Sequence, residues 1–131
     1  MSNSTGFTNT SAASSDATAE VIRRYNDVFQ KHDASGLRDL IAEDCVIENT
    51  NPAPNGSRHV GRDACFELWQ RIATTSGIWF DIEGVEVSGE TATIRWRLRW
   101  GEGEDKSVRG VNLMRVRNGR IVEAQGYVKG A

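Results

Sequence analysis

The sequence has little of what marks several common protein classes. Its 131 residues include only two cysteines, two prolines and two histidines, and the cysteines lack the spacing of a metal or redox motif. Acidic and basic side chains nearly balance, with a formal net charge of −2, which gives no general attraction to nucleic acid or to a membrane surface. No apolar run approaches the ~20 residues that span a bilayer. The length predicts one domain with one core.

The opening of the chain differs in composition from the rest. It is rich in Ser, Thr, Asn and Ala, and it lacks the basic start and the continuous apolar segment of a secretory signal. We expect residues 1–16 to be a disordered tail and residues 17–131 to form a single domain. Cys45 and Cys65 fall on a predicted strand and a predicted helix, so buried, reduced thiols are expected. A cytoplasmic location follows, and we expect neither a cofactor nor a bound metal.

Helical spacing of apolar residues comes first along the chain. It predicts a helix over residues 17–31 with Asp16 or Thr18 as its cap. A short second helical segment carries Leu37, Leu40 and Ile41, and a third helix follows Gly61.

Strand patterns dominate the rest of the sequence. The predicted strands cover residues 45–49, 79–87, 91–100, 107–116 and 121–128, with a bulge at Gly84 and a hairpin turn at Asn118-Gly119. Helices followed by a meander of strands predict an α+β fold. In that fold three N-terminal helices pack on a strongly curved, mostly antiparallel sheet.

The third of these strands in chain order, residues 91–100, separates two faces of the sheet. Trp96 and the other apolar side chains of this strand point one way, while Arg95, Arg97 and Arg99 point the other. The apolar side is therefore predicted to lie under the helices, and the arginines on the open face. We interpret that face as solvated surface or as a homodimer interface. A nucleic-acid groove is a weaker alternative in a chain of this charge, so no nucleic-acid or membrane partner is expected.

Three polar side chains are predicted to point into the apolar interior. They are Tyr25 on the first helix, Asn49 at the end of the first strand and Asn112 in an otherwise apolar row. A buried polar group without a partner costs about 1–3 kcal/mol. The three groups therefore form either an internal hydrogen-bond network or the polar part of a small-molecule site.

Further residues complete the candidate site. His59, in the loop expected at the cavity mouth, could transfer protons near neutral pH or could be an ordinary surface histidine. The predicted substrate-binding side chains are Phe29, Trp69, Trp96, Leu98, Trp100 and Met114.

Three segments resemble a known family. They are VIRRYNDVFQKHDASGLRDLIAEDCVIENT, GRDACFELW and SVRGVNLMRVRNGRIVEAQGY, which are similar to the nuclear transport factor 2-like superfamily. Within it, the sequence resembles the SnoaL-like polyketide cyclases and the ketosteroid isomerases. The resemblance implies a cone of curved sheet with three helices, a homodimer formed through the open sheet face, and a pocket for a small hydrophobic ligand. The superfamily hosts isomerases, cyclases, hydrolases, dehydratases and non-catalytic binders.

The resemblance also assigns expected roles. Tyr25 matches the oxyanion-hole tyrosine of the ketosteroid isomerases, Asn49 their general-base aspartate, and Asn112 their protonated aspartate. An oxyanion hole formed by Tyr25 and Asn112 is therefore implied. Asn49 cannot abstract a proton, which argues against the steroid isomerase reaction.

The catalytic acids of two related enzyme groups are absent from this sequence. The Asp-Arg-Asp set of limonene-type epoxide hydrolases would fall on Trp96, Leu98 and Gly126. A register slip of one residue would instead bring Arg95 and Arg97 inside.

The SnoaL-like cyclases use an aspartate near the end of the chain. No aspartate follows Asp105, and Glu123 is predicted to point outward.

These observations predict an isomerase-like or cyclase-like enzyme that acts on a hydrophobic, oxygenated substrate of steroid, polyketide or terpene type. It would polarise a carbonyl or position water with Tyr25, Asn49 and Asn112. The alternatives are a non-catalytic binder, an epoxide-hydrolase-like enzyme with an altered acid set, and an assembly domain. An ionisable group beside the amides would favour the enzyme over the binder.

Overall fold

A computed structural model describes residues 2–130 and the side chains of residues 14–130. The described residues form two α-helices and six strands, in the order α1 (Ser2–Lys31), β1 (Ile41–Glu48), β2 (Arg58–Val60), α2 (Arg62–Ala73), β3 (Trp79–Ser88), β4 (Thr91–Arg99), β5 (Ser107–Arg117) and β6 (Arg120–Val128). Short 3-10 helices cover Arg38–Leu40 and Glu104–Lys106. The strands make one sheet in the order β2-β1-β6-β5-β4-β3. Only the β1–β6 pair is parallel among these strands.

The predicted α+β class is confirmed, with a difference in the number of helices. The second predicted helical segment is a single 3-10 turn, Arg38–Leu40. Ile41 already has extended backbone angles, φ −107° and ψ 126°, and pairs with Ile121 of β6. Strand pairing therefore ends the helical segment after one turn.

The first helix begins earlier than residue 17. It starts at Ser2, so Thr18 is an interior helix residue rather than a cap. The Thr18 hydroxyl donates to the Gly89 carbonyl at 2.7 Å, and the Gly89 N–H donates to Ser15 Oγ at 2.9 Å. These bonds dock α1 on the turn between β3 and β4. The side chains of residues 1–13 lie outside the described ones. The disorder expected for residues 1–16 therefore stays a prediction.

The core lies between the two helices and one face of the sheet. Its buried members come from α1, α2, the Arg38–Leu40 turn and four of the strands, and they include Ile22, Leu40, Ile94 and Ile121. Both cysteines are free and buried, as predicted. The Cys65 thiol donates to the Cys45 carbonyl at 3.4 Å, and burial raises the pKa of both thiols.

The predicted turns and alternation agree with the structure. Asn118 and Gly119 both have positive φ, 54° and 76°, as the tightest hairpin turns require. The pairing of β3 with β4 shifts register between Ile82 and Gly84, where the bulge was predicted. Strand β2 was missed because its three residues carry no period. None of the described helices is long and apolar enough to cross a membrane.

Candidate functional site

A cavity of about 270 Å³ opens between the helices and the inner face of the sheet. This is the liquid volume of about nine water molecules. Exposed Asn51 and Thr75 lie on its wall and mark its opening. The other lining residues are Tyr25, Asn26, Phe29, Asn49, Thr50, Trp69, Ile72, Ile78, Phe80, Ile82, Ile94, Trp96, Leu98 and Asn112.

Asn112 is the centre of a hydrogen-bond chain in this cavity. The Trp96 indole Nε1–H donates to Asn112 Oδ1 at 3.1 Å, and Asn112 Nδ2 donates to the Tyr25 hydroxyl oxygen at 3.4 Å. An indole N–H can only donate, so the amide oxygen must face Trp96 and the amide nitrogen must face Tyr25. The donor-to-acceptor direction of the whole hydrogen-bond chain therefore follows from the Trp96 indole.

Tyr25 ends the chain as a neutral hydrogen-bond donor. Its side chain is 4% exposed and packs against Phe29 and Trp69, with ring centroids 4.8 and 4.9 Å away. Burial raises the pKa of the Tyr25 phenol well above its usual range. Because the hydroxyl oxygen accepts from Asn112, its own hydrogen is left to donate, and no protein acceptor takes it among the described residues.

Two glycines of the neighbouring strands make room for this chain. Gly110 lies directly opposite Trp96 in the β4–β5 pair, and Gly126 lies directly opposite Asn112 in the β5–β6 pair. A Cβ atom on Gly110 would collide with the Trp96 ring and with the Tyr127 carbonyl. The side chains of Trp96 and Asn112 therefore lie flat over bare backbone.

Asn49 reaches the cavity from the end of β1. Its N–H donates to the Ser57 carbonyl at 2.8 Å, which folds the following loop back on itself. Gly56 has φ 78° and touches the Asn49 carbonyl so closely that a Cβ atom would collide with it. The loop thus fixes the backbone of Asn49, and the side chain lines the cavity without a hydrogen-bond partner among the described residues.

Asn26 is a cavity residue that the sequence analysis missed. It is 8% exposed, lines the cavity and makes no side-chain hydrogen bond to the described residues. It lies four residues after the buried Ile22 and three before Phe29, so helical spacing could have identified it. Its amide type led to its omission from the apolar stripe.

The cavity wall carries no charge among the described residues. The phenol of Tyr25 is its only ionisable side chain, and no carboxylate, imidazole, ammonium or guanidinium group lines it. Within residues 14–130 no three His, Cys, Asp or Glu side chains are arranged to hold a metal ion. The predicted inward positions of Tyr25, Asn49 and Asn112 agree with the structure. His59 or a carboxylate beside the amides would favour an enzyme, and neither lines the cavity in this part of the chain.

Three of the other predicted site residues lie away from the cavity. His59 is on β2, where its Nε2 is 2.9 Å from Ser57 Oγ. Trp100 follows the end of β4 and is 48% exposed. Met114 is buried between Ala92 and Ala124 on the adjacent strands, so it belongs to the core. Phe29, Trp69, Trp96 and Leu98 do line the cavity, as expected.

The charged side chains of the sheet lie on its other face. Arg95 pairs with Glu86, and Arg115 pairs with Glu123. Trp96 and Leu98 point inward, so the one-residue slip that would bring Arg95 and Arg97 inside is excluded. Glu123 points outward, as predicted. His32, which follows the end of α1, donates from Nδ1 to the Ala73 carbonyl at 3.1 Å.

Known structures share this fold. A nuclear transport factor 2-like protein of unknown function from Mesorhizobium loti is 62% identical, with a TM-score of 0.81 over 88% of this chain and 93% of that one. A candidate ketosteroid isomerase from Kribbella flavida is 19% identical, with a TM-score of 0.72 over 89% and 81%. A candidate polyketide cyclase from Sinorhizobium meliloti is 21% identical, with a TM-score of 0.68 over 82% and 94%. The last two likenesses show the fold alone.

The fold is thus that of the nuclear transport factor 2-like proteins. The sequence profile of the SnoaL-like domain matches residues 22–124, and the chain belongs to this family. Among proteins of curated function, none matches the sequence significantly.

The close approach at Gly110 gives a first prediction. Gly110→Ala places a methyl group against the Trp96 ring and backbone, so we expect a loss of about 1–3 kcal/mol in the free energy of unfolding. Denaturant unfolding followed by tryptophan fluorescence measures it. The matched control is Gly36→Ala, where the added Cβ meets open space, and it should not lower stability. Equal stability of Gly110→Ala and the parent would contradict the packing described.

Proposed function

We propose that this SnoaL-like protein binds a small hydrophobic molecule by a carbonyl or similar acceptor oxygen. The observation that carries the proposal is the chain from Trp96 through Asn112 to Tyr25, which ends with an unused hydroxyl hydrogen in an apolar cavity. Few polar groups in an aromatic-lined cavity are typical of small-molecule sites. A neutral donor in such a cavity binds an acceptor oxygen, because a buried donor without a partner is unfavourable.

The size of the cavity bears on the ligand. At about 270 Å³ it lies just below the ~300–1,000 Å³ usual for ligand pockets. This favours a compound with one or two rings, such as a polyketide or terpene fragment, over a four-ring steroid. The amides of Asn26 and Asn49 offer further hydrogen bonds to polar groups elsewhere on that molecule.

Catalysis is the second candidate, in a restricted form. Tyr25 and Asn112 can stabilise negative charge that develops on a carbonyl oxygen, as an oxyanion hole does. The described cavity wall supplies no base, so the supported reactions are those that need orientation and polarisation, such as an intramolecular cyclisation. The groups that line the cavity give no support to isomerisation by proton abstraction, to epoxide hydrolysis by an acid set or to a role for His59.

The outer face of the sheet is suited to a homodimer. Val111, Leu113 and Tyr127 form a cross-strand apolar group there, with Leu113 41% and Tyr127 52% exposed. Ion pairs surround it, including Arg99–Asp81 and Arg109–Glu83. An apolar centre with a charged rim is the usual anatomy of an interface. We propose that two copies associate through this face. The cytoplasmic location remains a prediction.

Binding of a two-ring ketone tests the main proposal. We expect 1-indanone to raise the melting temperature and to bind with an affinity that is constant from pH 5 to pH 9, because no lining group titrates there. Tyr25→Phe should weaken binding about three- to tenfold by loss of one hydrogen bond. Isothermal titration calorimetry measures both effects.

The matched control for that variant is Tyr127→Phe, which removes the same hydroxyl from the outer face and should leave the affinity unchanged. Failure of indanone and related acceptor fragments to bind would contradict the proposal. An affinity that falls as an imidazole becomes protonated would instead bring His59 into the site.

Asn49→Asp tests the position of the missing base. A carboxylate at residue 49 would lie in the cavity beside the donors, and burial would raise its pKa into a useful range. We expect the variant to isomerise cyclohex-3-enone to the conjugated ketone, followed by ultraviolet absorbance, at a rate at least tenfold above the parent. The control Glu48→Asp changes the neighbouring residue, which faces Gln125 on the other side of the sheet. If Asn49→Asp folds and binds the ketone without any gain, the assignment of residue 49 is wrong.

Leu113→Glu tests the proposed dimer. A carboxylate at the centre of the apolar group would be buried without a partner in the assembly, so we expect dissociation to monomers in analytical ultracentrifugation. Gln30→Glu, which adds the same charge at an exposed position of α1, should leave the dimer intact. A parent protein that sediments as a monomer at every concentration tested would overturn the proposal.

A further inference from the structure

We infer that Trp96 is the positioning residue that sets the hydrogen-bonding polarity of the cavity, so that its inner end accepts ligands with an acceptor atom and rejects donors. The inference rests on the proposed binding function and names the class of ligand for that site. It assigns the selectivity to Trp96, a lining residue whose one polar atom is used in the bond to Asn112.

An asparagine amide has two orientations that differ by a half-turn about its last bond. In the one found here, Oδ1 faces the Trp96 indole and Nδ2 faces Tyr25. The Tyr25 oxygen accepts that N–H, and its hydrogen points elsewhere. In the reversed amide, Nδ2 would face the indole N–H, two donors would meet, and Tyr25 would donate its hydrogen to Oδ1. The cavity would then meet the lone pairs of the Tyr25 oxygen.

The two orientations therefore give cavities of opposite preference. The first presents a hydroxyl hydrogen and suits carbonyl, ether or anionic oxygen. The second presents a hydroxyl lone pair and suits N–H or O–H groups. Among the hydrogen bonds that the described residues make to this amide, only the one from the Trp96 indole N–H distinguishes the two orientations, because Tyr25 can either donate or accept.

Trp96 itself is held in place. It is 7% exposed, its ring meets Phe80 edge-on with centroids 5.9 Å apart, and it covers Gly110. A close-packed ring cannot turn its N–H away without displacing these neighbours. The orientation of the Asn112 amide is thus fixed by packing rather than by the ligand.

Trp69 offers a matched comparison. It lines the same cavity, is 4% exposed and touches the Tyr25 ring edge-on at 4.9 Å. Its indole N–H makes no hydrogen bond to the described residues, in contrast to that of Trp96. A change from Trp to Phe at either position removes the same atoms, but only at Trp96 does it remove the group that orients the amide.

The experiment compares two fused-ring probes in three proteins. 1-Indanone only accepts hydrogen bonds, and indole only donates one through its N–H. Dissociation constants are measured by calorimetry for the parent, Trp96→Phe and Trp69→Phe. We expect the parent to prefer indanone and Trp96→Phe to shift the ratio of the two constants towards indole by about five- to tenfold. Trp69→Phe should keep the ratio, because the ketone oxygen is expected at the Tyr25 hydroxyl rather than at the Trp69 N–H.

An unchanged ratio in Trp96→Phe, or an equal shift in Trp69→Phe, would overturn the inference while leaving the proposed binding function intact. Lack of binding of either probe to the parent would contradict the binding function itself.

The orientation can also be measured without any substitution. In ¹⁵N-labelled parent protein, the four indole N–H groups are separate NMR signals, and exchange with solvent reports their hydrogen bonding. We expect the Trp96 signal to exchange more slowly than that of Trp69, which is equally buried, at 4% against 7% exposed, but makes no hydrogen bond to the described residues. Exchange of Trp96 as fast as that of Trp69 would show that the Trp96 indole is not bonded to Asn112, whether or not a variant folds.

Discussion

The inner end of the cavity depends on the hydrogen bond from the Trp96 indole to Asn112 Oδ1, 3.1 Å long. A polar group buried among aromatic rings must find a partner, since an unmade hydrogen bond there costs more than a made one contributes. The indole is the partner that allows no choice of direction, because it can only donate. The amide and then the phenol follow from it, and the unused donor of the chain belongs to Tyr25.

The rest of the fold holds this arrangement in position. Gly110 and Gly126 leave space across from Trp96 and Asn112, and α1 delivers Tyr25 from the opposite wall. The hydrogen bonds of Thr18 and Ser15 to Gly89 set the height of that helix over the sheet. The hydrogen-bond chain thus joins two neighbouring strands to a helix residue 87 positions away in sequence, and this distance explains its dependence on packing.

Much of the sheet and the candidate site could be predicted because a strand has a strict period of two. The period placed Trp96, Asn49 and Asn112 inward and the arginines outward. It could not tell how far along a strand the cavity extends, and so Met114 and Trp100 were expected at the wall although they lie beyond it. Asn26 was missed because a polar side chain weakens the helical pattern that would have revealed it. His59 was misplaced because the loop after β1 folds back through backbone bonds that leave no mark in the sequence.

Asn26, Asn49 and Asn112 supply amides to this cavity, and no carboxylate lines it among the described residues. Neutral donors can hold and polarise an oxygen but cannot remove a proton. The most direct measurement is a crystal structure with 1-indanone bound. The account predicts the ketone oxygen within about 3 Å of the Tyr25 hydroxyl, with Asn112 Oδ1 still bonded to the Trp96 indole. A ketone oxygen turned towards the mouth of the cavity, or an amide that has reversed, would contradict it.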